Sequence, residues 1–439
     1  MAQTGKTTFQ HGEIEQALLY IHDYWSRLER FRPHDEGTLV GLPRPYIVPS
    51  AKRGEGFNFE EIYYWDSYFI AQAFVGTPKH HLVKDIADDL LYLMRRFEII
   101  PNGGRSYLTS RSHPPFLTTL ILQVFQQTQD REWLDEAMTT AKEEYRRVWM
   151  GSVQPNWRQV HQGLSRYYDA NMIHDLAECE SGWDMTSRFG HRCLNYIPAD
   201  LNSLLYKYEI DFEHVALLNF DAEEAQAWHA RAAARRKTMR AYLWDDRAGF
   251  FFDYDYTRGE RGPVWSLAGF YPMWAGLASK QQAARMVANL GKFDLAGGLA
   301  TTAAYPRSTS QMPEQWAYPN GWAPLQMIVV EGLERYGYHK EAKAIARKWL
   351  RTTLKTFQKY GEFYEKYNVV HPDQPAAEGL YPSQRGFGWT NAVFVRLCNL
   401  YLEPVEQPAL AAASHPAELP RRKALRERLL TPNIFGRSS

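Results

Sequence analysis

The sequence predicts an all-α fold over residues 1–402, a ring of six helical hairpins or (α/α)6 barrel. Three observations carry this. Apolar residues recur at helical spacing along about twelve segments. Few segments read as strands. The stretches between helices are long, polar and aromatic, where a compact domain ordinarily has short connections.

Helices are expected near 12–32, 60–75, 79–98, 114–129, 131–150, 189–208, 221–243, 265–276, 279–291, 320–336, 338–358 and 387–402. In the first, Ile14, Ala17, Leu18, Ile21, Tyr24, Trp25 and Leu28 form one apolar stripe. Thr77 can cap the third, and Pro78 suits its first turn. Asp130 stands before the fifth, which has acids early and basic residues late, as the helix dipole favours. FFFDYD, at 250–255, is the best strand candidate. No long linker rich in glycine, serine or proline interrupts residues 1–402, which are therefore read as one domain. Twelve helices in alternating pairs fit six inner and six outer ones. Residues 403–439 change character and read as a surface-wrapping tail with a short basic helix near 419–430.

Charge is balanced, with 51 basic and 50 acidic residues. That argues against nucleic acid or an anionic membrane as the main partner. No apolar run approaches the roughly 18 residues that span a bilayer. The N-terminus has no basic segment followed by an apolar one, and Cys179, Cys193 and Cys398 form no paired framework. A cytoplasmic protein is expected. Aromatic residues make up 14% of the chain, including 14 Trp and 27 Tyr. They suit either a large aromatic core or a site that stacks on sugar rings.

The poorly helical connections lie at 33–59, 99–113, 151–188, 292–319 and 359–386. In a barrel of helix pairs they would converge over one mouth. The first and its edge carry Asn58, Phe59, Trp65 and Asp66. The second carries Asn102, Arg105, Arg111 and His113. The third carries Arg166, Glu180, Gly182, Trp183, Asp184 and Arg188. The fourth and its edge carry Gln315, Trp316, Asn320 and Trp322. The fifth and its edge carry Glu365, Glu378 and Trp389. Amides and carboxylates grip sugar hydroxyls, aromatic faces stack on pyranose rings, and glycine admits close backbone approach.

Cleaving a glycosidic bond takes two carboxyl groups flanking the anomeric carbon. One stays protonated to give its proton to the leaving oxygen. Burial beside Trp183 suits Asp184 to that role. The other stays ionised to activate water. Glu365 suits that role, with Lys366 beside it, and Glu378 is the alternative acid of the same loop. Asp66 reads either as a sugar ligand or as an ordinary acid at a helix start. Arg166 and Arg188 read either as sugar ligands or as partners of nearby acids. Trp316, Trp322 and Trp389 read either as stacking platforms or as loop packing. His113 reads as a sugar contact or a hydrogen-bonding loop histidine. There is no HExxH, Walker loop, GxGxxG or GxSxG. No histidine spacing marks a metal site, and no cofactor is called for.

These loops resemble the trehalase family of glycoside hydrolases. EEIYYWDSY and QWAYPNGWAP are similar to the two family signatures. PNGGRSYLTSRSHPPF resembles PNGxRSYYxSRSQPP, and ESGWDMTSR resembles the segment whose Asp is the general acid. EKYN resembles EKYD, whose Glu is the general base. EGLYPSQRGFGWTN resembles a segment whose Glu lines the sugar site. The resemblance covers most of residues 50–402. It implies an (α/α)6 barrel and inversion at the anomeric carbon, with Asp184 as acid and Glu365 as base. It also implies a small carbohydrate as partner, α,α-trehalose first. The departures bear on substrate. Asn58 stands where the family has arginine, Ala317 where it has aspartate, and His113 where it has glutamine. The interval Ala170–Glu180 leaves no room for the family's PRPES-like segment, whose arginine and acid help hold the sugars. Relatives on this barrel that cleave glucosyl- or mannosyl-glycerate make such small α-glycosides the alternative substrates. A binding protein without turnover is the third reading, against which the retained acid and base argue.

Overall fold

The computed structural model describes residue 9 and residues 11–51, 59–305, 314–379 and 381–402. Asn58 and the expected tail at 403–439 lie outside the described residues.

The helices are α1 (His11–Leu28), α2 (Tyr64–Ala71), α3 (His81–Phe97), α4 (Leu117–Thr128), α5 (Arg131–Glu144), α6 (His174–Glu180) and α7 (Ala199–Leu218). They continue as α8 (Ala222–Tyr242), α9 (Tyr271–Trp274), α10 (Lys280–Ala288), α11 (Ala323–Arg335), α12 (His339–Tyr360) and α13 (Gly388–Tyr401). Six form an inner ring. Helix α4 packs on α7, α7 on α9, α9 on α11, α11 on α13, and α13 on α2. The gap between α2 and α4 is filled by Tyr68 stacked on Phe116, ring centroids 4.3 Å apart. Helices α1, α3, α5, α8, α10 and α12 alternate with these as the outer layer, and α1 packs against α12 and α13. This is an (α/α)6 barrel, with α6 inserted in a loop.

Burial separates the two layers. Every residue of α2 is buried, and α7 and α11 are buried almost all round. Outer helices such as α3 and α12 bury one stripe and expose the rest. Chain order then fixes where the site lies. Connections from inner to outer helices are short, as at Asn219–Asp221 and Tyr336–Tyr338. Connections from outer to inner helices are the long ones. They therefore gather at the N-terminal ends of the inner ring.

Several boundaries depart from expectation. The helix read at 189–208 lies ten residues later, as α7. Residues 189–198 form 3-10 turns and the strand Tyr196–Ile197, which pairs with Tyr254–Asp255. Pro198, without an amide hydrogen, sits just before the helix start, where no such donor is needed. The helix read at 265–276 is a 3-10 turn (Leu267–Phe270) followed by the single turn of α9. FFFDYD splits into two strands, Phe250–Phe251 and Tyr254–Asp255. Residues 320–322, read as helical, form a strand paired with Lys366–Asn368. Helix α6 falls in a stretch read as irregular. No described helix is long and apolar enough to cross a membrane, and the three cysteines are free.

Candidate active site

Five tryptophans from four parts of the chain pack together under the loops. Trp316 stacks on Trp322 with centroids 3.7 Å apart and planes 3° apart. Trp183 stacks on Trp316 at 5.8 Å, and Trp65 lies 5.5 Å from Trp316 and 6.1 Å from Trp389. All five are buried. They are the packed base of the site, and their fully enclosed rings argue for packing over open stacking platforms. Gly182 has φ +73°, and a Cβ there would stand 2.6 Å from the Trp65 ring. Only glycine serves both the turn and the contact. Phe59 joins the same base, packed edge-on against Tyr63, Tyr381 and Phe387.

Three carboxyl groups converge above this base. Asp184 keeps a partly accessible edge. Its pKa is pushed up to about 7, by burial first and then by the charge of Glu365, with Arg111 and Lys366 pulling the other way. Asp66, buried in the first turn of α2, is raised well above the ordinary carboxylate value by burial and by the charges of Glu365 and Asp184. Glu365 is fully buried. Burial raises its pKa, while Lys366, the Tyr381 hydroxyl and the Gln384 amide favour its charged form. Tyr381 donates to Glu365 Oε1 at 2.8 Å, and Lys366 Nζ lies 3.6 Å from Oε2.

Local pairing holds these groups. The Asn320–Trp322 strand sets Trp322 opposite Lys366, next to Glu365. Trp389 Nε1 donates to the Glu365 carbonyl at 3.1 Å. Gln315 Nε2 donates to the Asp184 carbonyl at 2.6 Å, while its Oε1 accepts from Lys366 Nζ at 2.6 Å. One amide thus links the backbone of the acid loop to the lysine beside Glu365. On the other side, Glu180 is buried and bound by Arg158, by the Ser112 amide at 2.7 Å and by the Tyr168 amide at 2.6 Å. Arg188 is also enclosed. It forks onto Asp200 at 2.8 and 2.9 Å and onto Asp253 at 2.9 and 3.0 Å, 4.2 Å from the Trp183 ring centroid. Planar forks of this kind fix geometry as well as charge.

The remaining expected residues divide. Arg111 donates to Asp169 at 3.1 Å, and its charge reaches Asp184 and His113. His113 packs 6.0 Å from Trp65, and burial with Arg111 lowers its pKa well below the usual imidazole value, so it is neutral. Asn102 ties its amide to the Ser112 and Cys179 carbonyls at 3.2 and 3.1 Å. Asn320 clamps the backbone of Ala377 with both ends of its amide. Arg166 binds the Trp157 and Leu194 carbonyls at 2.8 and 2.5 Å and the Tyr256 hydroxyl at 2.9 Å, a scaffold role away from the three carboxyls. Glu378 is exposed. Tyr381 was not among the expected site residues, although it lies inside a motif already singled out.

The converged pair can do acid–base work. Asp184 holds a proton near neutrality, and Glu365 is flanked by donors that favour its charge. Residues 3–175 and 153–401 match the family model described as Trehalase. Neutral trehalase from Saccharomyces cerevisiae is 32% identical, with 84% of this chain and 76% of that chain covered and a TM-score of 0.70. The GH63 mannosylglycerate hydrolase from Thermus thermophilus, solved in complex with glucose, is 16% identical, with coverages of 87% and 99% and a TM-score of 0.64. A rhamnosidase from Klebsiella oxytoca with rhamnose bound shares the fold at 16% identity and TM-score 0.56, with coverages of 90% and 65%. The family match runs through both signature loops and nearly all of the barrel, and the chain belongs to the trehalase family of glycoside hydrolases.

Proposed function

We propose that this glycoside hydrolase inverts the anomeric centre of a small α-glycoside, with α,α-trehalose as the lead substrate. The observation that carries the reading is the convergence of Asp184 and Glu365 in unlike surroundings. Asp184 gives its proton to the glycosidic oxygen as the bond to the anomeric carbon breaks. Glu365 takes a proton from a water that attacks the same carbon from the opposite face. Asp66, Arg111 and His113 are the polar groups placed to hold sugar hydroxyls beside them. Phe59 and the tryptophans Trp65, Trp183, Trp316, Trp322 and Trp389 form the packed layer that supports these groups from behind.

The experiment is hydrolysis of trehalose followed by proton NMR from the first turnover. Inversion releases one β-glucose from the attacked ring and one α-glucose as leaving group. Release of α-glucose alone rules out the mechanism.

A second substrate reading has a specific support. The interval from Ala170 to Glu180 holds the short helix α6 in place of an arginine-bearing segment, and Arg166 is engaged by carbonyls. Ala317 adds no polar group. A site with fewer hydroxyl partners discriminates less well for a disaccharide. Glucosyl- and mannosyl-glycerate are therefore the comparison substrates. Turnover of either with none of trehalose replaces the lead substrate and leaves the chemistry standing.

A further inference from the structure

We propose that Asp175, Glu178 and His191 form a binding site for a divalent transition-metal cation, of the zinc or manganese type, bracing the loop that carries Asp184. Each offers one ligand atom, and the three atoms lie within 4.8 Å of one another. Asp175 and Glu178 are three residues apart on α6 and share a face. His191 returns to that face after the 3-10 turn Ser187–Phe189, through Gly190 and His191 at φ +52° and +59°.

A second observation points to a ligand. Glu178 is completely buried, yet its Oε2 has no hydrogen-bond partner. Its Oε1 accepts from the Thr186 amide at 2.5 Å. His191 has an acidic neighbour at each ring nitrogen, Asp175 Oδ1 at 3.9 Å from Nδ1 and Glu314 Oε1 at 3.6 Å from Nε2. A buried carboxylate with one bare oxygen is costly unless a cation or donor meets it. An imidazole nitrogen among carboxylate oxygens is a donor set for zinc, manganese or iron, where thiolates are absent and calcium would take oxygens alone. Ligand atoms about 2.1 Å from a tetrahedral ion stand roughly 3.4 Å apart, so atoms separated by up to 4.8 Å would draw together by about an ångström on binding. The competing account is a bare ion pair, since His191 Nδ1 lies 3.9 Å from Asp175 Oδ1.

The site would tie α6, which leads directly into Gly182, Trp183 and Asp184, to the segment that leaves them at His191. The acid would then be held from both sides of its loop.

The test is calorimetric titration of the full chain, stripped with EDTA and exchanged into chelator-free buffer, with zinc chloride and with manganese chloride. One ion per chain is expected from at least one of the two. Affinity should fall roughly 10- to 100-fold or more in Glu178→Gln and in His191→Ala, as loss of supporting groups at metal sites does. Metal should raise the melting temperature of the wild type, and less that of the variants. Glu178 is buried, so Asp175→Asn, at a half-exposed position, gives a variant free of core disruption and should weaken binding in the same direction. Absence of stoichiometric binding of either ion, or equal binding by wild type and all three variants, overturns the proposal and leaves the ion pair. No substrate enters these measurements, so their outcome is separate from that of the hydrolysis reading.

Discussion

Tyr381 donates its hydroxyl to Glu365 at 2.8 Å, where burial disfavours the glutamate's charge and Lys366 favours it. A hydrogen bond to the charged form lowers a carboxyl pKa. Tyr381→Phe removes that donor and leaves the ring. The Glu365 pKa should rise, moving the acidic limb of the kcat/KM profile to higher pH. Activity on the acidic side of the optimum should then fall more than activity at the optimum. An unmoved acidic limb would show that Glu365 is not the group titrating there.

On the proposed mechanism, the basic limb belongs to Asp184. Its folded pKa is pushed up to about 7 by burial and by the Glu365 charge. A general acid must be protonated, so activity is present below that value and lost as pH rises through it. A pH–rate profile should turn down near 7. A plateau to pH 9 would exclude Asp184 as proton donor.

Removing either group tests the pair directly. Asp184→Asn and Glu365→Gln should each lower kcat by about 10²- to 10⁴-fold. Circular dichroism and melting should stay close to wild type for Asp184→Asn, because the change is nearly isosteric. Wild-type turnover by either variant would remove that residue from the mechanism.

Gly182→Ala places a methyl group 2.6 Å from the Trp65 ring at φ +73°. Overpacking and an unfavourable backbone region together should cost about 2–3 kcal/mol. The variant should melt several degrees lower and lose kcat, since Asp184 is two residues on. Calorimetry alongside steady-state kinetics reads both effects, and an unchanged melting temperature would refute the packing argument.

Arg188 tests the buried charges. Arg188→Met leaves Asp200 and Asp253 facing each other without their cation. Losing one partner of a buried ion network costs about 3–5 kcal/mol. Urea unfolding of Arg188→Met should show a midpoint well below that of Asp200→Asn, which removes one negative charge and keeps the arginine paired with Asp253.

The outer helices were readable because they bury one stripe, which leaves a 3.6-residue period in the sequence. The inner helices were harder. Helix α7 is buried on nearly every side, so apolar and polar residues carry no phase, and its start was read ten residues early, across FGHRCLNYIP. The acid and base candidates were legible as motifs. The contacts of Arg166, Asn102 and Asn320 were not. Long irregular loops leave backbone carbonyls and amides unpaired, and side chains must satisfy them. A polar residue in such a loop therefore carries two possible uses, and composition does not say which. Here these three hold loop to loop. Ala377, whose backbone Asn320 clamps, had no sequence signal at all.

Trp65 belongs to the first inner helix and Trp389 to the last, and they meet at the seam where α13 packs on α2. Residues more than three hundred positions apart thus form one wall beneath the site. A growing chain cannot possess this wall until nearly the whole barrel has been made. Truncation before Gly388 should yield no residual hydrolysis, however well the remaining hairpins pack. During refolding, catalysis should return only with the last rise in tryptophan burial, so turnover serves as the gauge of ring closure.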